Sequence, residues 1–244
     1  MVEQSSLTPT ADIAGKAVTQ FGFWIAILTA VVAAISFAIA VTTLPISGPF
    51  CQTGCVTYPY RAVVAYIPHD YLWMYPATFL TPMFVVLMVC LHRYCAPGKK
   101  LYSQIALSFA VISATVITID YYIQIATMQP SILRGETEGL ALFSQYNPHG
   151  VFIALEELGY LMMSVAFLFV SAVFAATSKL ERALRWLFLT GALAAFATYV
   201  VLSWLFGKEL EYRFEVAIIT INLTVLFAGG VLLSVLFRRA ARGG

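Results

Sequence analysis

Charge is scarce in this chain. Only 11% of its 244 residues are Asp, Glu, Lys or Arg, where a soluble domain carries roughly a quarter, so water is not the solvent of most of its surface. Fourteen basic against 12 acidic residues leave a net charge of +2, which argues neither for nucleic acid nor for a basic membrane-binding patch. A Gly-rich phosphate loop, a Gly-x-Ser-x-Gly elbow and a His-Glu-x-x-His motif are all absent, leaving no sequence warrant for nucleotide, serine-hydrolase or zincin chemistry. No segment is Arg-rich like a voltage sensor. The first half does not align with the second, which weighs against an inverted-repeat transporter.

What the chain has is apolar length. Hydrophobic residues make up 61%, in runs at about 21–42, 72–94, 102–127, 150–177, 184–206 and 214–237, each long enough to cross about 30 Å of hydrocarbon as a helix. The runs lack the alternation of a membrane β-barrel, and lipid satisfies no backbone polar group, so helices are the only spanning form. The first run is too long for a signal peptide and reads as the first span. The expectation is an all-α polytopic bundle of one domain and about six transmembrane helices. Segment 1–20 precedes it and a basic tail, 238–244, follows. Gly191-xxx-Ala195 and Gly229-Gly230 fit close helix packing, and Pro76 and Pro82 fit a kink in the second span.

Orientation follows from the retention of basic residues on the cytoplasmic side. Lys16, Arg93, Lys99, Lys100, Lys179, Arg182, Arg185, Arg238, Arg239 and Arg242 fall on one side, against Arg61, Arg134, Lys208 and Arg213 on the other. Both termini are therefore expected in the cytoplasm. The long connections 43–71 and 128–149 then lie outside, and the first, rich in Tyr and Pro, is expected to fold back over the helices as a lid.

Four acids lie within spans, Asp120, Glu156, Glu157 and Glu215, and no Lys or Arg lies deep beside them. Intramembrane charge is costly and marks a functional candidate. Helix direction puts all four in the outer half, and helical spacing groups Ser113, Asp120 and Gln124 on one face and Glu157, Tyr160 and Ser164 on another. Such carboxyl groups must be protonated, hold a cation, or pair with Arg61, Arg134 or Arg213 folding inward as a purely structural device.

Histidine numbers three. His69 and His149, in Pro-His contexts before neighbouring spans, are candidate metal ligands together with Asp70 or a Glu; a haem is disfavoured, because axial ligands usually point inward from within helices. The four cysteines form two near pairs, neither a Cys-x-x-Cys. The pairs flank the second span, roughly 30 Å apart, which opposes a thiol relay. Cys51 and Cys55 are expected to form a disulfide in an oxidising outer compartment, with Cys90 and Cys95 reduced.

The segments 135–139 (Gly-Glu-Thr-Glu-Gly), 145–150 (Gln-Tyr-Asn-Pro-His-Gly) and 154–160 (Ala-Leu-Glu-Glu-Leu-Gly-Tyr) resemble a group of bacterial and archaeal multipass membrane proteins, over most of the second to fourth spans. The resemblance implies a prokaryotic cytoplasmic membrane and brings no activity, cofactor or catalytic residue with it. The leading expectation is an outward-facing acidic pocket, lined by Asp120, Gln124, Glu156, Glu157, Tyr160 and Glu215, that binds or transports a small ligand, proton or cation. The alternatives are a structural or assembly subunit that contacts a membrane-protein partner, and a metal-dependent intramembrane hydrolase with His69 and His149 as ligands. No cofactor beyond that metal ion is indicated.

Overall fold

The computed structural model describes residues 9–43 and 46–243, so part of the expected segment 1–20, positions 44–45 of the first loop and the last residue of the tail lie outside the described residues. Regular structure among them is entirely helical. In chain order the α-helices are α1 (Pro9–Ala40), α2 (Met74–Tyr94), α3 (Lys100–Ile123), α4 (Gln129–Leu133), α5 (Val151–Ser171), α6 (Lys179–Phe206) and α7 (Glu211–Gly243). Among the described residues, six segments are long and apolar enough to cross a membrane: Gly15–Ala40, His69–Tyr94, Pro97–Leu133, Val151–Ser171, Lys179–Phe206 and Glu211–Arg242. An even number of spans returns the chain to the end of the bundle where it began.

Several boundaries differ from the sequence expectation, the first span already beginning at Gly15, and two regions show the physical reason. The third span continues to Leu133 because the π-helical turn Gln124–Met128 joins α3 to α4. Pro130 has no N–H to give to residue 126, and the wider turn absorbs the mismatch, the Gln129 N–H reaching back to the Gln124 carbonyl. The fourth span stops at Ser171, and α6 begins at Lys179 rather than 184. Ser178 caps α6 by accepting from the Glu181 N–H at 3.1 Å, and the Glu181 carboxylate accepts from the Thr177 N–H at 3.1 Å. Both are N-terminal donors that the helix itself leaves unpaired.

The bundle closes as a ring. Helix α1 packs on α2 and most extensively on α7, α3 packs on α2 and α5, and α6 lies outside the contact between α5 and α7. Small residues set the close crossings. A methyl group on Gly230 would lie 2.7 Å from the Ala26 carbonyl oxygen, joining α7 to α1, and one on Gly191 would lie 2.4 Å from Val225, joining α6 to α7. Phe167 sits 5.7 Å from Phe84 and 5.5 Å from Phe188, ring centre to ring centre, filling the middle of the bundle.

Polar groups in the interior are mostly paired. Pro82 leaves the Thr78 carbonyl without its helical donor, and the Thr81 hydroxyl contacts it at 3.3 Å while lying 2.8 Å from Thr118 of α3. Ser164 and Asn222 bond across α5 and α7 at 3.1 Å. At the corner between α2 and α3, the Ser103 hydroxyl lies 2.8 Å from His92 Nδ1 and 3.1 Å from the free thiol of Cys95.

Candidate functional site

The opposite end of the bundle, where α1 finishes and α7 starts, holds a cavity of about 320 Å³ between α1, α2, α5 and α7. Its walls are largely apolar, with Phe37 and Ala40 from α1 and Val216, Ile219 and Leu223 from α7. Two carboxyl-bearing residues line it, Asp70 and Glu215, together with Trp73, Tyr146, Tyr160 and Tyr212.

The loops over this end are bonded into one cover. The Ser47 hydroxyl lies 2.7 Å from the Tyr146 carbonyl and 2.8 Å from the Tyr212 hydroxyl, which donates to the Gln145 carbonyl at 2.8 Å. Gly48 lies against the Tyr212 ring with φ of +64°, and a side chain there would come within 2.7 Å of that ring, so the turn requires glycine on both counts. The Tyr146 hydroxyl donates to Asp70 Oδ2 at 3.1 Å. Burial raises its pKa, with Tyr71 and Asp70 adding to the shift, so Tyr146 serves as a permanent donor. Cys51 and Cys55 in this cover are joined by a disulfide.

Behind the cavity stands the acid cluster. Glu156 is fully buried on α5 and accepts a hydrogen bond from the Tyr121 hydroxyl, which lies 3.0 Å from the Tyr160 hydroxyl. Glu215 of α7 is within hydrogen-bonding reach of Glu156. Asp120 is buried on α3, and Glu157 is half-buried beside the pair. One oxygen of each of Asp120, Glu156 and Glu157 is buried with no hydrogen-bond partner, an arrangement with free acceptor capacity and little water around it.

Among the described residues no Lys or Arg pairs with Asp120, Glu156, Glu157 or Glu215. Arg61 and Arg134 are exposed, and Arg213 stacks 4.4 Å from the Phe206 ring and lies 3.5 Å from Glu211. The arginine-pinned arrangement is therefore not the one adopted.

The six residues expected to line a pocket divide. Glu215 and Tyr160 reach the cavity; Glu156 lies behind them in the hydrogen-bonded cluster, with Asp120 and Glu157 near it. Gln124 turns elsewhere, its Nε2 donating to the Phe143 carbonyl at 2.6 Å and tying the 134–150 loop to the π turn. His69 and His149 have separate neighbours: His69 Nδ1 lies 3.1 Å from Asp70, and His149 Nε2 lies 3.4 Å from Glu211. Among the described residues no group of three or more His, Cys, Asp or Glu side chains is gathered to hold a metal. Sequence reasoning did not single out Tyr121, Trp73, Ser47 or Tyr212. Tyr121 is adjacent to Asp120 and fully buried, whereas Tyr122 is 63% exposed, a difference of helical phase invisible in a Tyr-Tyr pair.

Compared with known proteins, the chain matches no family model, and no match emerges with curated proteins or with solved structures. The fold itself defines the class. Six helices among the described residues, each long and apolar enough to span a membrane, mark this as a multipass membrane protein.

Proposed function

We propose that this protein binds or moves a small ligand or cation through the acid-backed cavity between α1, α2, α5 and α7. The observation that carries the reading is the burial of Glu156 and Glu215 within reach of each other, with no Lys or Arg among the described residues paired to either and with Glu215 lining the cavity. Structural ion pairs would satisfy such charges within the protein. Here the missing positive charge is left for a proton or a ligand to supply. Biased Lys and Arg placement supports cytoplasmic termini, so the cavity opens in the outer half of a prokaryotic cytoplasmic membrane, beneath the disulfide-bearing loop.

The test uses purified protein in sealed liposomes, with proton flux followed by a trapped pH dye and uptake of sodium, potassium and tetramethylammonium followed in parallel. Wild type is expected to carry at least one of these, and Glu215→Gln and Glu156→Gln to lose it. Transport by wild type no different from the amide variants for every probe would overturn the reading and leave the acids as packing elements.

A further inference from the structure

A bare metal cation wants a compact cage of oxygens at about 2.0–2.6 Å, and the cavity offers something else. Aromatic side chains, among them Trp73, Tyr146, Tyr160 and Tyr212, share its lining with the carboxyl groups of Glu215 and Asp70, and among the described residues no Lys or Arg does. Its volume of about 320 Å³ falls at the lower end of pockets for small organic ligands. Aromatic rings beside carboxylates, without basic residues, are the chemistry that recognises organic ammonium ions, through cation–π attraction and charge.

The mouth of the cavity adds a second constraint. Val41, the residue after α1, is 57% exposed and Val216 of α7 is 43% exposed, and both line the cavity; the exposed Thr220 of α7 does so as well. Val216 and Thr220 lie five and nine residues after the start of α7 at Glu211, or about 8 and 14 Å along a helix rising 1.5 Å per residue. Both positions fall within the apolar span Glu211–Arg242. The crossing that holds α1 against α7 at Ala26 and Gly230 lies toward the other end, and the cavity occupies the space between the two helices nearer the loops. The opening therefore faces lipid.

We infer that the ligand is an amphipathic organic ammonium ion that enters sideways from the bilayer between α1 and α7. Its cationic head rests at Glu215, with Asp70 nearby and the aromatic rings around it, and its apolar tail lies along Phe37, Ile219 and Leu223. This inference rests on the cavity reading above and narrows its ligand class. Asp70 is already engaged by Tyr146 and His69, so the head group meets chiefly Glu215, backed by Glu156.

The test is calorimetric titration of the full chain in lipid nanodiscs, free of detergent, with hexyltrimethylammonium. Tetramethylammonium serves as the head alone and hexanesulfonate as the same tail with opposite charge. Hexyltrimethylammonium is expected to bind at least tenfold more tightly than either, and Glu215→Gln to weaken it at least tenfold. Equal binding of hexanesulfonate, or unchanged affinity in a Glu215→Gln protein of normal helicity, would overturn the inference. Should Glu215→Gln fail to fold, Val216→Trp at the exposed mouth decides: association should slow at least tenfold, and an unchanged rate counts against lateral entry. If hexyltrimethylammonium does not bind while proton or sodium flux still depends on Glu215, the ligand class falls and the acid-backed cavity stands. If nothing binds and no flux depends on Glu215, both fall.

Discussion

Gly159 of α5 faces Ile117 of α3 so closely that a methyl group added to the glycine would lie 2.3 Å from Ile117 Cγ1. This crossing holds Tyr121, four residues after Ile117, within reach of Glu156 and Tyr160, which flank Gly159 on its own helix. Replacing Gly159 with Ala forces the helices apart and should lower stability by about 1–3 kcal/mol, as overpacking does in other cores. The loss is expected in thermal unfolding of detergent-solubilised protein. Gly98→Ala, where nothing stands within 4 Å of the new carbon, is the matched control and should leave the transition unmoved.

The cover over the cavity depends on Ser47 and Tyr212, whose hydroxyls serve three contacts within 2.8 Å. Tyr212→Phe removes the bond to the Gln145 carbonyl and leaves that acceptor unpaired. The local cost is about 1 kcal/mol. Amide hydrogen exchange of residues 46–73 should accelerate about fivefold, while the cores of α2 and α5 keep their protection. Uniform acceleration would mean that Tyr212 supports the whole bundle rather than the cover.

Thiol chemistry tests the orientation. Cys51 and Cys55 form a disulfide, whereas Cys90 and Cys95 are buried at the far end of α2. With cytoplasmic termini, intact cells treated with reductant and then a membrane-impermeant maleimide should gain label at Cys51 and Cys55 and at neither other cysteine. Unreduced cells should take up none. Labelling confined to inverted vesicles would reverse the assigned topology and put the cavity mouth in the inner half of the membrane.

Much of the fold was legible because a span is a local property: twenty apolar residues announce themselves wherever the helix packs. The helix-starting pattern Ser178-x-x-Glu181 was equally local, yet it stood outside the apolar run used to place the fifth span and went unread. The site was legible only in part. Asp120, Glu156 and Glu215 stood out as costly charges, but the cavity depends on which helices become neighbours, and its lining from α1, Trp73 and Tyr212 carries no signal of its own in a chain with 35 Phe, Trp and Tyr residues (18, 4 and 13). Gln124 shared a helical stripe with Asp120, and the π turn gave its side chain to the Phe143 carbonyl instead.

The Tyr121–Glu156 bond and the carboxyl contact to Glu215 make one coupled unit, so their removals should not add. In a double-mutant cycle, Tyr121→Phe and Glu156→Gln are expected to show a coupling of about 0.5–3 kcal/mol in unfolding free energy. Tyr121→Phe and Ser103→Ala, whose residues sit at opposite ends of α3, should instead add within about 0.5 kcal/mol. An additive result for the first pair would separate Tyr121 from the acid cluster.

Asp120 distinguishes an acid kept for function from one kept for folding. It is only 2% exposed, its Oδ2 is buried without a hydrogen-bond partner, and no basic side chain among the described residues pairs with it. A buried polar group left unsatisfied destabilises by about 1–3 kcal/mol. Asp120→Val, close in size and without that penalty, should therefore raise the unfolding temperature while reducing ligand binding or flux, the trade-off seen where a site is held at the expense of stability. A residue that served only to fix helix register would behave in the opposite way: Asp120→Val would unfold at a lower temperature, and any surviving protein would retain full flux.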